Sequence, residues 1–94
     1  MSDASLFLIG PVLGEEAAGF APALEAACEA GPVAALLLRL AAADERALIN
    51  RIKALAPIAQ ARGAAVLVEI ATVEDAAAIA VRGGADGLHV AGRG

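Results

Sequence analysis

Three ionisable residues stand out because each sits at the end of a short apolar run. Arg39 follows Leu36-Leu37-Leu38, Glu69 follows Val66-Leu67-Val68, and His89 lies within Gly87-Leu88-His89-Val90. A guanidinium, a carboxylate and an imidazole delivered by three successive runs offer the chemistry of a ligand site built from a few local charges. There is a plainer alternative. Arg39 and Glu69 occupy equivalent ends of neighbouring runs and can pair with each other, and such a pair is weak evidence for function. By the same token, His89 within an apolar run reads as a hydrogen-bonded core histidine. Both readings stay open on spacing alone.

The elements that must position these residues alternate along the chain. Leu6–Ile9, Val33–Leu38, Ala65–Ile70 and Gly87–Val90 are too short for globular helices and mostly continuous in their apolarity. Strands buried on both faces of a parallel sheet read this way. Between them lie three helical stretches. The first, Pro22 to Ala30, has proline in its opening turn and Phe20, Leu24 and Ala27 on one face, and Gly31-Pro32 stops it. The second runs from Asp44, a good N-cap, to Arg62, with Leu48, Ile52 and Leu55 as its apolar stripe and Gly63 as its stop. Pro57 should bend or split it. The third opens at Thr72-Val73-Glu74-Asp75, an approximate capping box, and ends at Gly83-Gly84.

The order β-α-β-α-β-α-β predicts an α/β fold with parallel strands and right-handed crossovers. It fits an open doubly wound sheet or the first half of a (βα)₈ TIM barrel. Gly10-Pro11-Val12-Leu13-Gly14 after the first run is no Gly-x-Gly-x-x-Gly fingerprint, which weakens the doubly wound option. In either architecture ligands bind at the C-terminal ends of the strands, where Arg39, Glu69 and His89 fall.

Composition narrows the classes of partner. The chain of 94 residues is 60% hydrophobic, with two aromatics and a net charge of −4. No basic stripe is available to neutralise a phosphate backbone, so nucleic acid is excluded as a partner. The early apolar stretch, Ala4 to Gly14, falls short of the roughly 20 residues of a membrane span and follows Asp3 rather than lysine or arginine. No membrane association and a cytoplasmic location are therefore expected. Cys28 has no partner for a disulfide or a zinc site and reads as a small core residue. Asp86 reads as a turn residue leading into the fourth strand. Glu15, Glu16, Glu25, Glu29, Asp44, Glu45, Arg46 and Arg51 read as solvated helix faces.

The run Gly84-Ala85-Asp86-Gly87-Leu88-His89-Val90 resembles the Gly-Ala-Asp-Gly-Val-His-Leu signature of the thiamine phosphate synthase and TenI-like family. Leu6-Phe7-Leu8-Ile9 as a first strand, Leu37-Leu38-Arg39 at the end of the second, and the segment Ala54 to Val68 support the resemblance. It extends over nearly the whole chain and about the first half of the family's (βα)₈ barrel. The resemblance implies a transferase that joins hydroxymethylpyrimidine pyrophosphate to a thiazole phosphate, giving thiamine phosphate and pyrophosphate, with Mg²⁺ on the departing pyrophosphate. It implies phosphorylated small-molecule substrates, with Arg39 and His89 on phosphate and Glu69 at the metal.

The family's pattern is altered in places. Where its second strand ends Gln-x-Arg-x-Lys, this chain has Leu37, Arg39 and Ala41; where Asn-Asp follows strand three, it has Glu69-Ile70; and Ala91-Gly92-Arg93-Gly94 replaces Gly-Gln-x-Asp. The expectation is a single partial barrel domain over 1–94, a truncated or degenerate member. The alternative is a non-catalytic or TenI-like thiazole-phosphate-binding half-barrel that acts by self-association. An exposed sheet face and two open edges lead to the expectation of a homo-oligomer or a missing C-terminal half.

Overall fold

The computed structural model describes residues 6–70 and 75–89. Its elements are β1 (Leu6–Leu13), a short 3₁₀ helix (Glu15–Phe20), α1 (Ala21–Ala30), β2 (Val33–Leu40), α2 (Glu45–Gln60), β3 (Ala65–Ile70), α3 (Ala76–Gly83) and β4 (Gly87–Leu88). All strand pairs are parallel, and the sheet order is β1-β2-β3-β4. A doubly wound sheet requires the strand order to reverse at a switch point. Here each step advances in the same direction, as in consecutive units of a (βα)₈ barrel, so the fold is the half-barrel of the two alternatives.

One-way winding keeps the helices together. α2 packs between α1 and α3 and lies against β2 and β3. The strand residues beneath this layer are Leu36, Leu38 and Leu40 of β2 and Val66 and Val68 of β3, all at most 1% exposed. They join Leu24, Leu48, Ile52, Leu55 and Ile79 from the helices in one core. On the opposite side, Leu37, Arg39, Leu67 and Glu69 are only half-buried and Phe7, Ile9 and Val12 are exposed. Continuous apolarity in these strands therefore does not reflect helices on both faces. One face meets the helix layer, and the other is the concave face that a barrel turns inward.

Asp44 caps α2 through its carboxylate, which accepts the Ala47 amide at 2.9 Å, and Leu48, Ile52 and Leu55 are buried as their spacing predicts. Pro57 lies within α2 and does not split it. The proline is exposed, and the amide it lacks would have made one ladder bond, back to the Lys53 carbonyl a turn earlier, so a single bond of the helix is missing. Gly63, at φ 85°, makes the left-handed turn into β3. In α1 the buried residues are Leu24 and Cys28, so the cysteine is a core residue as expected. α3 is described from Ala76, with Asp75 preceding it and making no side-chain cap; the expected box at Thr72 lies outside the described residues.

β1 runs beyond the expected Leu6–Ile9, as far as Leu13. Its register with β2 passes from Ile9↔Leu37 to Val12↔Arg39, so one extra residue of β1 bulges at Gly10-Pro11. Proline has no amide to give a ladder, and the bulge is where a strand tolerates it. β2 likewise continues to Leu40, which places Arg39 within the strand rather than after it. Among the described residues no helix is long and apolar enough to cross a membrane.

The turn after β1 is held by Glu16, whose carboxylate accepts the Gly14 amide at 3.1 Å. Hydrogen bonds from its own amide and from that of Gly14 hold the Glu16 carboxyl below the usual carboxylate range. A depressed folded-state pKa favours folding above the ordinary glutamate range, and the contribution is lost as pH falls through the folded value. The Gly14 amide resonance should therefore titrate with a midpoint below that of an unstructured glutamate, and Glu16→Gln should abolish the transition. A midpoint at the ordinary value would show that the contact is not populated.

Candidate active site

The bulge in β1 sets the geometry of the concave face. By strict alternation Ile9 and Val12 would point to opposite sides; the extra residue returns Val12 to the side of Ile9, and both are exposed. The face then reads in two rows across the sheet. The lower row is apolar: Ile9, Leu37, Leu67 and Gly87 are successive partners. The upper row, toward the C-terminal ends of the strands, places Val12 beside Arg39 and Arg39 beside Glu69. The β3–β4 register of Val68↔Leu88, carried one residue on, brings His89 beside Glu69. The backbone amide of His89 holds that alignment by donating to the Val68 carbonyl at 2.8 Å.

The structure thus gathers all three sequence-predicted residues in one row, and it separates the plain alternatives. Arg39 and Glu69 are register partners, yet among the described residues they form no ion pair. Arg39 instead donates its Nε to the Gly10 carbonyl at 2.9 Å. That carbonyl lies in the bulge, and Arg39 anchors there, while its Nη nitrogens have no hydrogen-bond partner among the described residues. Glu69 approaches His89, with Oε1 at 3.8 Å from Nε2. This is beyond hydrogen-bond distance and between solvated groups, so it fixes neither side chain. His89 is exposed rather than a core histidine.

A Mg²⁺ ion is usually held by one or two carboxylates, with substrate phosphates and waters completing its shell. Among the described residues no three His, Cys, Asp or Glu side chains gather into a cluster. Glu69 is a half-buried carboxylate on the concave face with no close partner on its oxygens, and so fits as one ligand of an ion shared with a phosphorylated substrate. A protein-only metal cage is not what this donor set offers.

Asp86 does more than turn the chain. Its carboxylate accepts the Val66 amide at 2.7 Å and Nε2 of Gln60 at 3.2 Å, while its own amide donates to the Val66 carbonyl at 2.8 Å. Gln60 also donates to the Gly84 carbonyl at 2.8 Å. The end of α2, the start of β3 and the approach to β4 are therefore tied at one carboxylate. Gly84, at φ 93°, ends α3 in the left-handed conformation just before it. Aspartate in a turn gave no hint of this in the sequence; the signal was Gln60 and Val66, twenty or more positions away. Asp86→Ala should lower stability by about 1–2 kcal/mol, because the half-buried Val66 amide loses its charged acceptor. Asp86→Asn should recover part of that in a denaturant midpoint, and equal midpoints for wild type and Asp86→Ala would refute the tie.

Comparison with known proteins bears on what such a row serves. The family described as thiamine monophosphate synthase (TMP-TENI) matches residues 9–93. A thiamine-phosphate synthase of Rhodospirillum centenum is 40% identical over 90 residues, covering 96% of this chain and 41% of that protein. The chain thus spans about two fifths of the length of the curated relative it matches. No solved structure matches it. With a one-way βα sheet, a polar row at the strand ends and a family match over nearly its full length, the chain belongs to the thiamine monophosphate synthase family.

Proposed function

We propose that the upper row of the concave face binds the phosphate end of a substrate in thiamine biosynthesis, as part of a thiamine phosphate synthase-type site. The observation that carries this reading is the anchored guanidinium of Arg39, held through Nε by Gly10 beside Glu69 and His89. Holding Nε leaves the guanidinium oriented by a single bond, so less rotamer freedom remains to be lost when an oxyanion docks. His89 supplies a further donor two strands away, on the far side of Glu69. Glu69 would hold Mg²⁺ through carboxylate oxygen, and the ion, when bound, supplies charge for a departing pyrophosphate. With a net charge of −4 the protein as a whole repels anions, so recognition rests on these local groups. We place this chemistry in a cytoplasmic, single partial barrel domain.

A second reading is binding of a phosphorylated thiazole without joining it to the pyrimidine. It is favoured by Leu37 in the apolar row and by Ala41, which replace an amide and a lysine of the pattern the chain resembles. The two readings separate by product, since only the synthase forms thiamine phosphate from both precursors and requires Mg²⁺.

The binding step is tested by titrating inorganic pyrophosphate calorimetrically with Mg²⁺ present. Arg39→Ala should weaken binding by about 10- to 100-fold, the range for one charge-assisted partner. Arg39→Lys, which keeps the charge and loses the fork, should fall between. If wild type does not bind pyrophosphate, or if Arg39→Ala binds it equally, the reading is wrong.

A further inference from the structure

Of the irregularities in the β1–β2 ladder, the one between Ile9 and Val12 lies beside the polar row. Gly10 and Pro11 have no register partner on β2, although β1 runs through them. Pairing then resumes. Val12 stands opposite Arg39, Leu13 opposite Leu40, and the Ala41 amide donates to the Leu13 carbonyl at 2.8 Å. Leu13 is buried in the core. Slipping β1 by one residue to remove the bulge would turn Leu13 out of that core and set Pro11 opposite Arg39. The bulge is therefore fixed twice, by a buried leucine after it and by a residue with no amide to give the ladder.

We propose that Pro11 is a positioning residue of the anion site: it keeps the Gly10 carbonyl out of the ladder, and that carbonyl fixes Arg39 through Nε. The proposal rests on the reading of Arg39 as the phosphate-binding group. In a regular strand each carbonyl lies in the plane of the sheet and is directed at a neighbouring strand. A side chain standing on the concave face does not meet such a carbonyl in line. At the bulge it does, and the Gly10 carbonyl accepts from Nε of Arg39 at 2.9 Å in a partly buried contact. Both partners belong to β1 and β2, so the device is complete within two adjacent strands.

The anchor also decides how the ligand is met. A guanidinium can offer an oxyanion two parallel bonds from its side, through Nε and one Nη, or from its end, through both Nη nitrogens. With Nε committed to Gly10, the end remains, so the phosphate is taken end-on. Part of the rotamer freedom of a long side chain is already lost before the ligand arrives, and that loss is not charged to binding. A residue with an amide at position 11 could re-enter the ladder and draw the Gly10 carbonyl back into the sheet plane.

Deletion of Pro11 tests this with little else disturbed. Without the extra residue Gly10 falls opposite Leu38, while Val12 stays opposite Arg39 and Leu13 opposite Leu40. The far-UV circular dichroism should stay that of wild type. By NMR, the Nε proton of Arg39 should exchange slowly in wild type and rapidly in the deletion variant. Calorimetric titration with inorganic pyrophosphate and Mg²⁺ should show binding weakened by about 3- to 10-fold, the worth of ordering one long side chain. In an Arg39→Ala background the deletion should change pyrophosphate binding no further, whereas a general loosening of the strand would weaken it again. Pro11→Ala keeps the extra residue and restores an amide. It should speed exchange of the Nε proton and weaken binding by about 2-fold, and it carries the test if the deletion variant does not fold. Slow Nε exchange retained in the folded variants, pyrophosphate bound as tightly as by wild type, or an equal loss in the Arg39→Ala background would overturn the proposal. If wild type itself does not bind pyrophosphate, the reading of the site falls, and the Nε resonance alone decides whether Pro11 positions Arg39.

Discussion

Leu48→Ala is expected to lower the unfolding free energy by about 3–5 kcal/mol, more than any other single truncation considered for this chain. Leu48 is fully buried in the first turns of α2, the helix that packs on the 3₁₀ turn, α1, α3, β2 and β3. Removing its isopropyl end deletes the transfer energy of three carbons and leaves a void. That void cannot collapse easily, because α2 is pinned at both ends, by the Asp44 cap and by the Gln60 tie to Gly84 and Asp86. The spread measured for such truncations tracks how well the site closes around the hole, and a pinned helix belongs at the costly end. A domain of this size has a total stability of about 5–15 kcal/mol, so the variant would lose roughly a fifth of it or more. Urea denaturation checks this through the midpoint. A shift worth less than about 1.5 kcal/mol would mean that the helix layer is not packed as described.

Gly83→Ala should cost about 2 kcal/mol, against the ordinary rule for helices. In an exposed helix, alanine in place of glycine stabilises by up to about 1 kcal/mol. At Gly83 a Cβ would lie 2.6 Å from Cβ of Ile52 and 2.7 Å from its Cγ2. Those atoms sit at the root of a fully buried side chain on α2, so rotamer change cannot move them away and the helices themselves must separate. Overpacking of this kind typically costs about 1–3 kcal/mol, which outweighs the propensity gain at the last residue of a helix. The companion variant Ile52→Gly/Gly83→Ala tests the cause: with Cβ and Cγ2 of residue 52 both gone, adding a methyl at position 83 should be close to neutral. Additive effects in this double-mutant cycle would place the strain elsewhere. The close approach of α2 and α3 belongs to the same layer that aligns β3 with β4, and so to the placement of Glu69 beside His89.

How much of this was legible beforehand differs from residue to residue. The strands and helices were readable because their signals are local: apolar runs for β2 and β3, a stripe at Leu48, Ile52 and Leu55, a cap at Asp44. The grouping of Arg39, Glu69 and His89 was readable because parallel strands of a βα fold bring equivalent ends together. What they touch was not. Arg39 anchors on a carbonyl freed by a bulge 29 positions earlier, and no period-two pattern shows which carbonyl a bulge will free. Pro11 was the available hint, since a proline followed by more strand argues for a bulge. That Glu69 lies nearer the His89 ring than forms an ion pair with Arg39 depends on side-chain reach across the sheet, which sequence spacing does not encode. The exposure of Phe7, Ile9 and Val12 was equally hidden, because an apolar strand reads alike whether helices or a facing wall will cover it.

The one-way sheet also bears on how the chain acquires its shape. Among the described residues each strand pairs only with its neighbour in sequence, and no paired residues are more than 30 positions apart, as with Arg39 and Glu69. A nascent chain growing from its N-terminus can therefore complete β1 against β2 before β3 is synthesised, and each later unit has its template already waiting. Loop closure stays short at every step, which favours quick, ordered growth over a search among distant partners. The last strand added always exposes a fresh edge, so during synthesis the growing tip is the sticky part, and crowded ribosomes would bring such tips together.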